Sequence, residues 1–111
     1  MKPKARLVLT LLGGFDARPA AGSPLVLPTR KARALLAYLA LPLGRAHSRE
    51  KLAALLWGDM PDAQARGNLR QALSRIHRAW ARVAVPGLLF HGDTVALDPS
   101  AVEVDVAALE R

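Results

Sequence analysis

Apolar residues recur at helical spacing between Pro61 and Val83. On a helix that turns by about 100° per residue, the positions that share one stripe are Leu69, Ala72, Leu73, Ile76, Trp80 and Val83. The opposite stripe is polar and consists of Gln64, Gln71, Ser74, Arg75, Arg78 and Arg82. This pattern predicts an amphipathic helix over residues 62–83, whose apolar face needs a core and whose polar face stays outside it.

Two shorter helices are predicted before the long one. Thr29 is a suitable N-cap for a helix over residues 30–41, and Ser48 for a helix that ends at Trp57. The residues that these helices are expected to turn to the core are Ala32, Leu35, Leu36, Leu39, Leu52, Leu55 and Leu56. Only residues 58–61 separate the second helix from the long one, which is the spacing of a helix-turn-helix.

Strands are expected on both sides of the helices. Residues 6–15 predict a strand, residues 16–24 a turn-rich loop, and residues 25–27 a short strand that returns antiparallel to the first. Residues 88–97 predict a β-hairpin whose turn is His91-Gly92-Asp93. Together these elements describe an α+β domain with a small N-terminal antiparallel sheet, three helices and a closing hairpin.

The length of the chain, 111 residues, suits one domain, which we assign to residues 1–105. Residues 106–111 predict the start of another helix. Because a helix of two turns has little stability by itself, we expect a helical domain to follow and the chain to be part of a longer protein.

The composition narrows the kinds of site that the domain can hold. The chain has no cysteine, which excludes a disulfide framework and a zinc site with thiolate ligands. No segment approaches the ~18 consecutive apolar residues of a membrane span. The N-terminal run MKPKARLVLTLLGG is basic and then apolar, but it is short and lacks a small-residue cleavage site. We therefore interpret it as part of a strand and not as a signal peptide.

Positive charge is concentrated in the middle of the chain. The net charge is +7, and residues 28–82 contain eleven basic and three acidic residues, whereas residues 83–111 contain one and five. The arginines of the long predicted helix are Arg66, Arg70, Arg75, Arg78 and Arg82. A face of one sign favours a polyanion, and above all a nucleic acid, as partner. A hydrated surface helix in an arginine-rich protein would have the same composition.

Catalytic and metal-binding motifs are weak in this sequence. His47, His77 and His91 lack the spacing of metal ligands, and no glycine-rich phosphate loop is present. The acidic residues near the C-terminus lack the register of a calcium loop. We expect neither an enzyme nor a cofactor or metal site.

Five blocks of the sequence resemble a known family. They are LLGGF at residues 11–15, LPTRKARALLAYLA at 27–40, SREKLAALLW at 48–57, NLRQALSRIHRAW at 68–80 and GDTVALD at 92–98. These blocks are similar to the N-terminal domain of the SARP or AfsR-like bacterial transcription regulators, a winged helix-turn-helix domain of the OmpR/PhoB type. The resemblance covers residues 6–110 and implies a cytoplasmic activator, bound at the nucleoid, in which an all-helical activation domain follows the DNA-binding domain.

The resemblance implies that the domain binds double-stranded DNA, with residues 62–83 as the recognition helix in the major groove. The candidate DNA contacts of that helix are Arg66, Asn68, Arg70, Gln71, Ser74, Arg75 and Arg78. Ser48 and Arg49 match positions that meet the DNA backbone. Residues 58–62 correspond to the loop through which such domains can touch RNA polymerase. Family members often bind direct repeats as tandem dimers.

Other candidate contacts lie outside the recognition helix. Trp57, which is expected mainly in the core, could also direct its indole N–H to a phosphate. The hairpin corresponds to the wing, with His91 and Thr94 as its candidate contacts. Wings of this kind usually present a cation to the minor groove, whereas this one offers only His91 beside Asp93. Two other functions fit the same pattern, a winged-helix adaptor for acidic proteins and a non-specific nucleic-acid-binding domain.

Overall fold

Three helices and two small sheets make up the part of the chain that the computed structural model describes, residues 7–10, 16–19, 27, 29–41, 43–83 and 87–105. Their order is β1 (Leu7–Thr10), β2 (Asp16–Pro19), α1 (Arg30–Ala40), β3 (His47–Ser48), α2 (Arg49–Trp57), α3 (Asp62–Val83), β4 (Leu88–His91), β5 (Thr94–Leu97) and β6 (Val102–Asp105). The predicted start of a helix at residues 106–111 lies outside the described residues. So do residues 11–15 and 25–26 of the predicted strands.

The long helix α3 has the predicted bounds and packs on the core with the predicted face. Its buried residues are Ala65, Leu69, Ala72, Leu73, Ile76 and Trp80. Ile76 and Trp80 are fully buried, and each large apolar side chain removed from water contributes roughly 1.5–3 kcal/mol. This burial fixes the rotation of α3, and with it the residues that point outward.

Both predicted N-caps of the shorter helices are confirmed. The side-chain oxygen of Thr29 accepts a hydrogen bond from the backbone N–H of Ala32 at 3.0 Å. That of Ser48 accepts one from Lys51 at 3.0 Å. Such a cap satisfies one of the four N–H groups that lack a partner at a helix start.

The prediction that Leu55 faces the core is wrong, because this side chain is 55% exposed. In α2 the buried residues are Leu52, Ala53 and Trp57, with Leu56 partly buried beside them. At about 100° per residue, Leu55 lies on the far side of the helix from the middle of this stripe. Because residues 52–56 contain three leucines, the sequence alone does not show which leucine lies outside the buried stripe.

The N-terminal sheet is mixed, and the prediction of a purely antiparallel sheet is wrong. Its strand order is β2-β1-β6, with β1 antiparallel to β2 and parallel to β6, where Leu7 lies opposite Val102. A parallel pair requires a long crossover, and here all three helices lie between the two strands in sequence. The sheet therefore joins the first and the last strand of the described residues.

The second strand also differs from the prediction. It is Asp16–Pro19, within the segment expected to be a turn-rich loop, whereas Leu27, expected in a strand, is buried at 5% exposure outside any strand. Aspartate and proline disfavour strands, but β2 is an edge strand, where proline is tolerated. Pairing with β1 has overridden the local preference.

The predicted hairpin is confirmed as β4 and β5, which pair antiparallel. Its turn consists of Gly92, with φ 58°, and Asp93, whereas His91, predicted in the turn, belongs to β4 and pairs with Thr94. A short strand that the sequence did not predict, β3, pairs with the other side of β5. Since β3 leads directly into α2, the backbone N–H of Arg49 donates to the carbonyl of Asp93 in the hairpin turn at 2.8 Å. The hairpin is thereby held beside the start of α2.

Candidate nucleic-acid interface

The outward face of α3 is rich in arginine. The exposed residues there include Arg66, Arg70, Gln71, Ser74, Arg75, Arg78 and Arg82. No ion pair joins any of these arginines to another described residue. Their charge is therefore available to an external anion, which is the property expected of a surface that binds phosphate.

The outward residues divide between two sides of α3. Arg66 and Arg70 lie toward the hairpin, where they line a crevice with Arg49. Asn68 and Arg75 lie toward α1 and line a different cleft. Between these sides, Gln71, Ser74 and Arg78 occupy the middle of the exposed face. All seven predicted contacts of α3 lie outside the core. Five of them, Arg70, Gln71, Ser74, Arg75 and Arg78, line one cleft on this face, and Arg66 and Asn68 line the crevices on either side of it.

Two polar side chains of α3 are already engaged within the domain. The Arg78 guanidinium donates to the Ser74 hydroxyl at 3.2 Å, a contact one helical turn apart that orients the arginine. The Asn68 amide donates to the sulfur of Met60 at 3.1 Å. Asn68 is half-buried beside the turn before α3, so its amide is less accessible to an external partner than that of exposed Gln71.

The start of α2 faces the same crevice as Arg66 and Arg70. This crevice, of about 280 Å³, is lined by Arg49, Glu50, Arg66, Leu69, Arg70, Leu73 and Asp93. Three arginines outnumber two acidic residues there. The hydroxyl of Ser48 accepts the capping bond, which leaves its own hydrogen free to donate. The crevice thus combines cations with a helix N-terminus, a combination that suits an anion.

Arg49 connects α2 to the hairpin. Its guanidinium carbon lies 5.3 Å from the centroid of the Phe90 ring, within the range of a cation–π contact. Its Nε is buried and has no hydrogen-bond partner among the described residues. The sequence predicted Arg49 as a backbone contact but did not single out Phe90. The alternation of side chains along a strand could have indicated Phe90, because it places Phe90 on the same face as buried Leu88.

Lys31, in the first turn of α1, contacts the end of α2. Lys31 donates to the backbone carbonyl of Leu56 and lies 5.7 Å from the centroid of the Trp57 ring. A cation at the end of α2 is favourable for the dipole of that helix, which offsets its unfavourable position at the start of α1. Trp57 itself is only 6% exposed, so its expected role in the core is confirmed and little of its surface remains for a phosphate.

The hairpin turn offers few charged groups to a partner. The Thr94 hydroxyl donates to the carbonyl of His91 at 2.7 Å and closes the turn. His91 and Asp93 are exposed at its tip. His47, in β3, packs its ring 5.0 Å from that of Tyr38, and burial lowers the pKa of this histidine below its usual value. In the hairpin itself, the largest exposed side chains are Leu89 and Phe90. Both lie on β4 and not at the tip.

The described part of the chain contains no helix that is long and apolar enough to cross a membrane. No family model and no curated protein matches the sequence. Among solved structures, the chain is similar to EmbR of Mycobacterium tuberculosis, determined in complex with a low-affinity phosphopeptide, with 23% identity and a TM-score of 0.75. The similarity covers 89% of this chain and 27% of that one, so this chain spans about a quarter of EmbR. The domain therefore shares its α+β fold with part of EmbR.

Proposed function

We propose that this domain is a winged helix-turn-helix that binds double-stranded DNA sequence-specifically, as the DNA-reading part of a transcription regulator. The observation that carries the proposal is the unpaired arginine face of α3, exposed beside a hairpin in a fold shared with the SARP-family regulator EmbR. An exposed helix of this kind has the dimensions to enter a major groove. The hairpin takes the position of the wing.

Contacts to bases come from the middle of the exposed face of α3. Arginine offers two parallel N–H groups to guanine O6 and N7, and glutamine can pair with the N6 and N7 of adenine. Arg78, held by Ser74, and the exposed Gln71 are the residues of this face that fit these roles best. Asn68 is a weaker candidate because its amide already has a partner.

Contacts to the DNA backbone come from the sides of α3 and from the start of α2. Arg49, Arg66 and Arg70 line the crevice at the start of α2 and bind phosphates there, together with Ser48, which caps this helix. On the other side of α3, Arg75 serves the same purpose. Phosphate contacts of this kind position the protein on the duplex, whereas the base contacts give the sequence preference.

The exposed turn between α2 and α3, residues 58–62, is the proposed contact to RNA polymerase. We further propose that two copies bind direct repeats in tandem, and that the domain acts as part of a cytoplasmic activator. These proposals rest on the resemblance to SARP regulators, and a co-purification of polymerase with the DNA-bound protein tests the first of them.

The DNA-binding proposal is tested by selecting bound sites from random duplex DNA and measuring affinity for the selected site at several salt concentrations. The logarithm of the binding constant should fall by ~0.9 for each phosphate contact per logarithmic unit of salt. In the selected duplex, Arg78→Ala should cost ~1–3 kcal/mol and relax the preference at one base pair. Arg75→Ala should weaken binding equally for all sequences and reduce the salt slope by ~1.

The outcomes separate the proposed function from its two alternatives. Equal affinity for duplex DNA, duplex RNA and heparin, with no enriched sequence, would identify a non-specific polyanion-binding domain. Absence of binding to any duplex, together with a tight complex with an acidic protein, would identify an interaction adaptor. An affinity for the selected site that does not depend on salt would contradict the electrostatic docking that the arginine face implies.

A further inference from the structure

A second crevice, between α3 and the hairpin, has a mostly apolar wall. Its volume is about 310 Å³, and its lining residues are Arg49, Arg70, Leu73, Ser74, His77 and Phe90. The neighbouring crevice beside Arg66 and Asp93 is more polar. An apolar wall in the middle of a cationic surface fits an occupant that is partly apolar and partly anionic.

Phe90 is the exposed part of this wall. Its side chain is 48% exposed, and Arg49 lies over the ring. Because side chains alternate along a strand, Phe90 faces the same side as buried Leu88, toward the domain. Leu89 between them faces the other side and is 47% exposed. The two neighbours are thus equally exposed on opposite faces of β4, and only Phe90 lines the crevice.

We propose that this wall receives a deoxyribose of the DNA backbone, with the Phe90 ring against the sugar and with Arg49 and Arg70 at the flanking phosphates. The proposal rests on the proposed function. When α3 lies in the major groove and the hairpin lies at the adjacent minor groove, the strand that separates the two grooves crosses this crevice.

The chemistry of that strand matches the crevice. A DNA strand alternates an apolar sugar with an anionic phosphate, and the crevice alternates an apolar wall with arginines at its sides. The guanidinium of Arg49 lies 5.3 Å from the centroid of the ring, so the sugar and phosphate contacts lie side by side. The hairpin therefore contributes through β4, although its tip carries His91 and Asp93 in place of an arginine.

The test uses the full chain and its selected duplex, with variants Phe90→Ala and Phe90→Leu and the matched control Leu89→Ala. Hydroxyl-radical footprinting reports the exposure of individual sugars, since the radicals attack the deoxyribose. Wild type should protect one or two sugars of the strand between the two grooves. Phe90→Ala should lose this protection and bind on the order of ten-fold more weakly, with the same base preference and the same salt slope.

The other variants separate a sugar contact from a structural role. Phe90→Leu should retain the protection, because it keeps an apolar wall, and Leu89→Ala should behave as wild type. Circular dichroism checks that each variant is folded. We expect all of them to fold, because the side chains of Leu89 and Phe90 are about half exposed.

Three outcomes would overturn the proposal. If Phe90→Ala keeps full affinity and protection, no sugar lies against the ring, while the proposed DNA binding stands. If Phe90→Leu loses as much affinity as Phe90→Ala, and the salt slope of both variants is lower than that of wild type, the ring acts only by holding Arg49 toward a phosphate. If wild type binds no duplex at all, the proposed function fails and this contact fails with it.

Discussion

At the scale of single residues, the backbone at Gly87 lies close against the core. A Cβ at this position would lie 2.9 Å from the Cβ of Ala101 and 3.1 Å from two ring carbons of Trp80. Trp80 is fully buried, so a shift of its ring would disturb the packing of the core. We expect Gly87→Ala to lower the free energy of unfolding by about 1–3 kcal/mol through overpacking, measured by urea unfolding followed by circular dichroism.

Gly67 supplies the matched control for this prediction. A Cβ there would meet nothing within 4 Å, and the residue lies inside α3. Gly67→Ala should therefore raise the free energy of unfolding by about 0.5–1 kcal/mol, since glycine is a poor helix residue. Equal stability of the two variants would mean that the contact with Trp80 does not constrain residue 87.

The exposed arginines of the candidate interface were predictable, but the contacts of Asn68 and Phe90 were not. The arginines of α3 follow from helical periodicity, because every residue opposite the buried stripe must be exposed. The engagement of Asn68 by Met60 and the position of Phe90 beside Arg49 depend on elements that are distant in sequence. No local pattern contains that information.

At the scale of elements, the start of α2 combines a structural cap with a proposed contact to the DNA backbone. Ser48→Ala removes the cap and should lower the free energy of unfolding by ~1 kcal/mol. Ser48→Asp retains a capping oxygen and should leave stability near that of wild type. It also places a negative charge at the proposed phosphate site, so we expect it to weaken DNA binding more than Ser48→Ala does.

Thermal unfolding and duplex-binding titrations on the two Ser48 variants test this separation of roles. Ser48→Asp should be the more stable of the two variants, and Ser48→Ala should bind DNA more tightly. Tight DNA binding by a stable Ser48→Asp variant would show that no phosphate lies at the start of α2.

Helices were predicted more accurately than strands in this domain. The caps at Thr29 and Ser48 and the stripe of α3 involve residues within a few positions of one another, so local sequence determines them. The strands Asp16–Pro19 and His47–Ser48 exist because each pairs with another strand, β1 just before it in the first case and the distant β5 in the second. Their own residues give little strand signal.

At the scale of the whole molecule, β6 joins the C-terminal end of the domain to its first strand. Val102 is fully buried, and Leu7 donates its backbone N–H to the carbonyl of Ala101 at 3.0 Å. A chain that ends at Pro99 would lose this edge of the sheet and expose Leu7 and Leu9, both fully buried in the full chain. We expect it to lose its cooperative thermal transition, observed by calorimetry, because these leucines belong to the core on which α3 packs.

A chain that ends at Asp105 is the control for this truncation. It retains β6, and if residues 1–105 form the domain, as the sequence predicts, it should unfold with a midpoint close to that of the full chain. An unchanged transition in the shorter chain would show that β6 does not belong to the cooperative unit.

The sequence by itself determined the three helices, the N-caps of the two shorter ones, the buried stripe of α3, the hairpin and the concentration of positive charge in the middle of the chain. These features depend on spacing over a few residues or on composition. Only the tertiary structure decided that β6 pairs parallel with β1, that Leu55 is exposed, and that Phe90 and Arg49 meet beside α3. Such features depend on contacts between distant segments, which form when the whole core is buried at once.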